Sequence, residues 1–423
     1  MIWTLAVLPV SLLVLGFPVF LVLLAGAAAT LLFVTDLPLI TLHQVIFGGI
    51  DKYSLLAVPF FVFAGELMTR GGISARLNGW VVAGIGRVRG SLGLTTVGTS
   101  TLLGAVSGSS PATVAAVGQA LYPALRENGY GERFSLGLIT ASGSIAIVVP
   151  PSIAMILYGA AAEQSVPRLF LAGILPGLLI AGVMALYILI YARWQGIREA
   201  RRFDARRFLD ASLRGLGALL MPVIILGGIY GGFFSPTEAA GVACLYAIVL
   251  ARLGYREASW AEVLKAAGDA AFLTAQIMIL VACASLFSWL LTVSGLPQAM
   301  VAALAAIELS SWAFLLIVNG LLLLLGCVID PLSAILVLTP MLLPLVLHLG
   351  IDPVHFGIVM TVNLSIGMFT PPFGLNIFVA ESLFGAGLRT LCLGLLPFIA
   401  LQIAALLVIT YVPGLSLLLA GLI

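Results

Sequence analysis

From Ile2 to Phe33 the chain is almost unbroken apolar sequence, and comparable stretches recur to its end. As a single helix this first run would reach about 48 Å, against a hydrocarbon core of ~30 Å. In lipid only helices and closed barrels satisfy every backbone N–H and C=O, and runs of ~20 apolar residues fit helices. Of the 423 residues, 62% are hydrophobic and 9% charged, where a soluble domain carries roughly a quarter charged. No segment is polar enough to fold separately in water. The expectation is therefore an all-α polytopic membrane protein with room for about ten spans. Met1 runs straight into apolar sequence with no basic region before it, so no cleavable leader is expected.

Gly16-Phe17-Pro18 is the natural turn in the first run, which divides it into two short spans. Full spans are expected near 53–69, 134–162, 168–192, 214–232, 235–252, 269–293, 354–384 and 390–415, making ten crossings. The charges test this count. With the amino terminus outside, 17 of the 19 basic residues fall in cytoplasmic connections, and only Lys52 and Arg168 fall on the other face. Both termini are then periplasmic. The most polar stretch, 196–213, alternates Arg198, Arg201, Arg202, Arg206 and Arg207 with Glu199, Asp204 and Asp210. That mixture reads as a solvated link between halves and not as a nucleic-acid surface.

The halves, 1–195 and 214–423, resemble each other at a shift of about 221 residues. Pro123 meets Pro344, the pair Pro150-Pro151 meets Pro371-Pro372, Pro176 meets Pro397, and with a small gap Pro18 meets Pro236. Five crossings per half would place the second half upside down relative to the first. Inverted repeats put binding sites at the repeat interface near the midplane. Aquaporins and some channels share that property, so the repeat alone leaves transporter and channel both open.

Each half has two places where helical hydrogen bonding must fail at membrane depth. One is Gly104 to Pro111 (GAVSGSSP), answered by Gly326 to Pro331 (GCVIDP); each sits midway along a longer apolar segment. Arg89 and Arg126 bracket the first segment, near 91–125, so it must enter and leave on one side as a re-entrant hairpin. The second hairpin, near 311–349, should mirror it. The other kind of break is Val148-Val149-Pro150-Pro151 and its mate Thr370-Pro371-Pro372. Proline removes a backbone donor and favours the first helical position, so Ser110, Asp330 and Thr370 are expected as caps of new helix starts; Val149 has no such group, although Ser152 is close.

Unwound carbonyls and Ser or Thr hydroxyls suit a hard cation such as Na⁺, while helix amino termini favour anions. Asp330 could ligate a cation or only cap its helix. Ser109 and Ser110 at the first tip, with Asn363 and Asn376 flanking the second break, are candidate substrate contacts; either Asn could equally serve a freed carbonyl. The four cysteines lie singly in apolar stretches and read as buried small side chains, and the three histidines lack metal-ligand spacing. No His lies where it could serve Ser107 or Ser109 as a base, so no hydrolase is expected.

These residues are similar to the large membrane subunit of tripartite ATP-independent periplasmic (TRAP) transporters, the DctM family. The likeness covers essentially the whole chain. Its most specific stretches are GAVSGSSPATVAAVG (104–118), GGIYGGFFSPTEAAGV (227–242), LGCVIDPLSAILVLTPMLLP (325–344) and NLSIGMFTPPFGLN (363–376). The resemblance implies an elevator-type transporter of the bacterial inner membrane, carrying a small organic acid such as a C4-dicarboxylate by Na⁺ symport. It implies a periplasmic solute-binding protein and a separate small four-span membrane subunit as partners. Sodium sites carried over from the family fall at Ser107, Gly108, Ser109, Val148 and Pro150 in the first half. In the second they fall at Gly326, Asp330, Gly367, Met368 and Thr370. A self-sufficient Na⁺/dicarboxylate symporter of related fold is the alternative.

Overall fold

A computed structural model describes residues 3–35, 38, 40–85, 88–197, 204–306 and 308–422. Arg87, Arg198, Glu199, Arg201 and Arg202, which entered the charge argument, lie outside the described residues.

The described residues are helical throughout, with no strand among them. The chain opens with α1 (Trp3–Val14) and α2 (Val19–Phe33), two short apolar helices. Gly16, at a φ of +82° that an L side chain resists, makes the expected turn between them. The pair folds back on itself, so that Thr30 Oγ1 donates to Thr4 Oγ1 at 2.8 Å.

Next come α3 (Ile40–Ile50), α4 (Ala57–Arg70) and α5 (Ile73–Gly84). A first hairpin follows, α6 (Ser91–Ser107) with α7 (Ser110–Glu127). The first broken helix is α8 (Glu132–Ser142), α9 (Ile145–Val148) and α10 (Ile153–Ala162), and α11 (Val166–Trp194) closes this half. The same order then recurs. Helices α12 (Ala205–Tyr230), α13 (Pro236–Val249), α14 (Trp260–Val293) and α15 (Leu296–Ala306) precede a second hairpin, α16 (Ser311–Gly326) with α17 (Pro331–His348). The second broken helix is α18 (Pro353–Gly367) and α19 (Leu375–Phe384), followed by α20 (Leu388–Tyr411) and α21 (Gly414–Ala420).

The packing is reciprocal across this repeat. Helix α7 packs on α19, and its counterpart α17 packs on α10; α8 lies along α20, and α18 lies along α11. Each hairpin therefore sits beside a broken helix of the other half as well as its own. At the periphery α4 packs against α13 and α14, and α2 against α14.

Ten crossings do not appear as ten long helices. Among the described residues, six helices are long and apolar enough to span a bilayer, or eight if each of two bent pairs counts once. The reason is local. The span expected at 354–384 ends at Gly367 and resumes at Leu375, and the one at 53–69 is the second limb of an elbow, bent by 57° from α3. Helix α14 corresponds to that elbow but runs unbroken through 34 residues, about 51 Å along the helix, and begins at Trp260, well before the expected 269. Its start is a capping box, with Ser259 and Glu262 each satisfying the other's backbone N–H. Asp204 likewise starts α12 early, accepting from the N–H groups of Arg206 and Arg207 at 2.9 and 3.4 Å, so the end of the expected polar link is helical. Helices α3, α5 and α15 were not legible as separate elements.

Three of the connections grouped by their arginines touch one another. Arg70 Nη2 meets Asp269 at 2.5 Å, Arg76 meets Glu257 at 2.7 Å, and Trp80 Nε1 donates to Ser212 Oγ at 3.0 Å. The elbow residue Lys52 lies elsewhere, bonded to the carbonyl of Ala160 at the end of α10.

Candidate functional site

The site is built where prolines withdraw donors. Pro150 and Pro151 deprive the carbonyls of Ala146 and Ile147 of their helical N–H partners; Pro371 and Pro372 do the same to Gly367 and Met368. Both Pro-Pro bonds are cis. After the first break, Ser152 supplies the cap, accepting from Met155 N at 3.4 Å, so the polar residue missing at Val149 is found three positions on. After the second break the chain makes a wider turn. Thr370 is not a cap, contrary to expectation: its hydroxyl donates back to the carbonyl of Ile366 at 2.7 Å, and α19 begins only at Leu375. The freed carbonyls find local donors, with Gly367 accepting from Thr370 N at 3.1 Å and Met368 from Asn376 N at 2.9 Å. Each keeps a second lone pair.

The hairpin tips differ in chemistry. In the first, Gly108 turns the chain at φ +58°, and Ser109, not Ser110, occupies the cap position of α7. Its side chain makes no cap bond. Ser107 Oγ lies 3.4 Å from both Ser109 N and Thr113 Oγ1. In the second, Asp330 is a full cap: one oxygen accepts from Leu332 N and Ser333 N at 3.0 Å each, and the other from Ser333 Oγ.

Each tip is held close to its break by small residues. A Cβ on Gly104 would stand 2.5 Å from the Cα of Ala146, and one on Gly367 would stand 2.4 Å from the carbonyl carbon of Gly326. These contacts occupy equivalent places in the two repeats. One at Gly108 would meet the Pro151 carbonyl at 3.0 Å, so the first tip also touches the first break. A polar pair supports each contact one to two turns away: Ser100 Oγ donates to Ser142 Oγ at 2.9 Å, and Asn363 Nδ2 to Asn319 Oδ1 at 2.7 Å.

Both tips and both breaks open on one cavity of about 190 Å³. Gly108, Ser109 and Ser110 reach it from the first tip, Asp330 and Leu332 from the second, and Ile147 and Met368 from the breaks. Leu273 and Ile277, one turn apart on α14, complete its wall. Sequence reasoning had not found Ile147, Leu273 or Ile277, whose apolar side chains carry no signal of a site. Two helices, α7 and α17, begin at this cavity, so two positive dipole ends point toward it. Among the described residues, no Lys or Arg lines it.

The remaining sequence candidates fall outside that wall. Asn363 is fully buried and also donates to the carbonyl of Val359. Asn376 is fully buried as well. Its amide nitrogen donates to Ser110 Oγ at 2.7 Å and to the carbonyl of Thr140 at 3.2 Å, tying the first hairpin, the first broken helix and the second broken helix together. Val148 directs its carbonyl at Gly173 of α11, where a Cβ would stand 2.6 Å away. Pro150 contributes through the carbonyls it frees.

The family model of the DctM component of the tripartite ATP-independent periplasmic transporters matches residues 6–415. The chain belongs to that family. It is 40% identical over 412 residues to the isethionate TRAP transporter permease protein DctMQ of Oleidesulfovibrio alaskensis, a match covering 97% of this chain and 65% of that one. It is 41% identical to the C4-dicarboxylate TRAP transporter large permease protein DctM of Pseudomonas aeruginosa, covering 93% of this chain and 92% of the relative. Among solved structures, the YdaH transporter of Alcanivorax borkumensis superposes with a TM-score of 0.66 over 98% of both chains at 17% identity, a likeness of fold. The chain is thus a TRAP large permease, a transport protein of the membrane.

Proposed function

We propose that this permease takes up a small organic acid across the bacterial inner membrane, driven by Na⁺ entry and fed by a periplasmic binding protein. The observation that carries this reading is the shared cavity between the two hairpin tips. Its polar wall consists of hydroxyls, one carboxylate and two helix amino termini, with no cationic side chain. A carboxylate entering it would be balanced by bound Na⁺ and by the N-terminal dipoles of α7 and α17. The freed carbonyls of Ala146, Ile147, Gly367 and Met368, with Ser107, Ser109 and Asp330, form a donor set of oxygens suited to Na⁺.

Na⁺ here is cargo. The close glycine contacts tie each cation position to one hairpin, so cation and solute would travel with the hairpins as a body against α4, α13 and α14, as in an elevator. Relatives named for isethionate and for C4-dicarboxylates share an acidic head group, which supports an organic acid without choosing one. The isethionate relative carries a joined DctMQ name, which supports a second membrane component acting with the large permease.

Reconstitution tests the reading. Vesicles holding this chain and its small subunit should accumulate the acid only with the loaded binding protein and an inward Na⁺ gradient. Uptake without any binding protein would replace it with a self-sufficient symporter. Steady, unsaturable flux with no Na⁺ gradient would replace it with a channel.

A further inference from the structure

A second cavity, of about 350 Å³, lies apart from the hairpin tips, between the α3–α4 elbow, the end of α10, the C-terminal half of α14 and α17. Its walls are more polar than those of the first. Lys52, Glu163, Ser285, Ser288 and Trp289 all face it. Ser285 and Ser288 are three residues apart, hence on one side of α14. Gly49 of α3 seats directly on Ser285, where a Cβ would clash.

Lys52 is the cationic group of this wall. Its Nζ donates to the carbonyl of Ala160 at 2.6 Å, in the last turn of α10, where the helix dipole favours a cation. An ammonium has three N–H donors, and this bond uses one. Glu163 caps the same helix in the left-handed region, at φ +54°, and brings a carboxylate to the same end of α10 that Lys52 touches. The cavity therefore offers a charge-assisted donor, two hydroxyls, an indole and a single acceptor carboxylate. It lies away from the arginine-rich connections, on the face that the charge pattern assigns to the periplasm.

We propose that this cavity is an outer binding site for the carboxylate or sulfonate head of the transported solute. Lys52 holds the anion there before it reaches the tips. The identity of the solute rests on the proposed uptake function; the anion site itself does not. Glu163 opposes a second negative charge, so a monoanion binds better than a dianion of the same size.

The test needs neither Na⁺ nor a binding protein. The full-length chain in phosphatidylcholine nanodiscs, in Na⁺-free buffer, is titrated with choline isethionate and choline succinate while tryptophan fluorescence is read. A saturable change should appear in the wild type and vanish in Trp289→Phe. Lys52→Gln should weaken binding about tenfold, as loss of a charge-assisted hydrogen bond does, and Lys52→Arg should keep most of it. Glu163→Gln should tighten succinate more than isethionate. An unchanged affinity in Lys52→Gln, or no saturable change in the wild type, overturns the site. Loss of isethionate binding when phosphatidylglycerol is included would assign Lys52 to lipid phosphate and overturn it equally. Failure of Na⁺-driven uptake with this binding intact would count only against the proposed function.

Discussion

Asn376 and Ser110, separated by 266 residues in sequence, share a buried hydrogen bond of 2.7 Å that joins the second broken helix to the tip helix of the first hairpin. The same amide nitrogen reaches the carbonyl of Thr140. A buried amide bridging three elements fixes their relative position, because each partner would otherwise be left dry and unpaired.

Replacing Asn376 by Leu should therefore cost about 1–3 kcal/mol of stability, the penalty for stranding buried polar partners. Ser110→Ala should cost less, since Asn376 keeps Thr140. A double-mutant cycle on thermal unfolding in detergent should show coupling between the two; additive effects would deny the contact its role.

Gly367→Ala pushes a methyl into the carbonyl of Gly326, and both partners are backbone that cannot step aside. Separation of α16 from α18 should follow, with apparent Na⁺ affinity for uptake falling by about tenfold or more. Gly320→Ala, on the same hairpin with open space around it, is the control and should keep wild-type Na⁺ dependence.

Asp330 presents two roles that substitutions separate. Asn keeps a cap acceptor but loses the charge; Ala loses both, at about 1 kcal/mol for the cap. If the carboxylate serves a cation, Asp330→Asn should fold normally and need more Na⁺ for half-maximal uptake. Unchanged Na⁺ dependence in Asp330→Asn would confine Asp330 to capping.

At the first tip the hydroxyls of Ser107 and Ser109 carry the cation proposal. Each Ala variant should weaken Na⁺ dependence while leaving assembly intact, as judged by size-exclusion elution. Wild-type Na⁺ affinity in both variants would remove this tip from the first cation site.

Ser152→Ala should destabilise the start of α10 by about 1 kcal/mol, because it removes the cap that follows the first break. Faster hydrogen exchange confined to the first turn of α10 is the expected signature.

Much of this architecture was written in residue order. Apolar runs fixed an all-helical membrane chain, and the two hairpins with their proline-paired breaks fell where the proline registers put them, because proline acts on its own backbone wherever the chain lies. Asp330 was legible as a cap for the same local reason. What a helix does beyond its own turns was not. Thr370 turned inward to Ile366 instead of capping, since the length of each break depends on what the neighbouring helix allows. The elbow at Lys52 and the unbroken 34-residue α14 occupy corresponding places in the two halves, a difference that the repeat itself did not show. Leu273 and Ile277 entered the cavity wall as ordinary apolar side chains. The sequence by itself determined where the helices must break. Tertiary structure alone decided that both tips and both breaks face one cavity, because that convergence depends on contacts between residues more than two hundred positions apart.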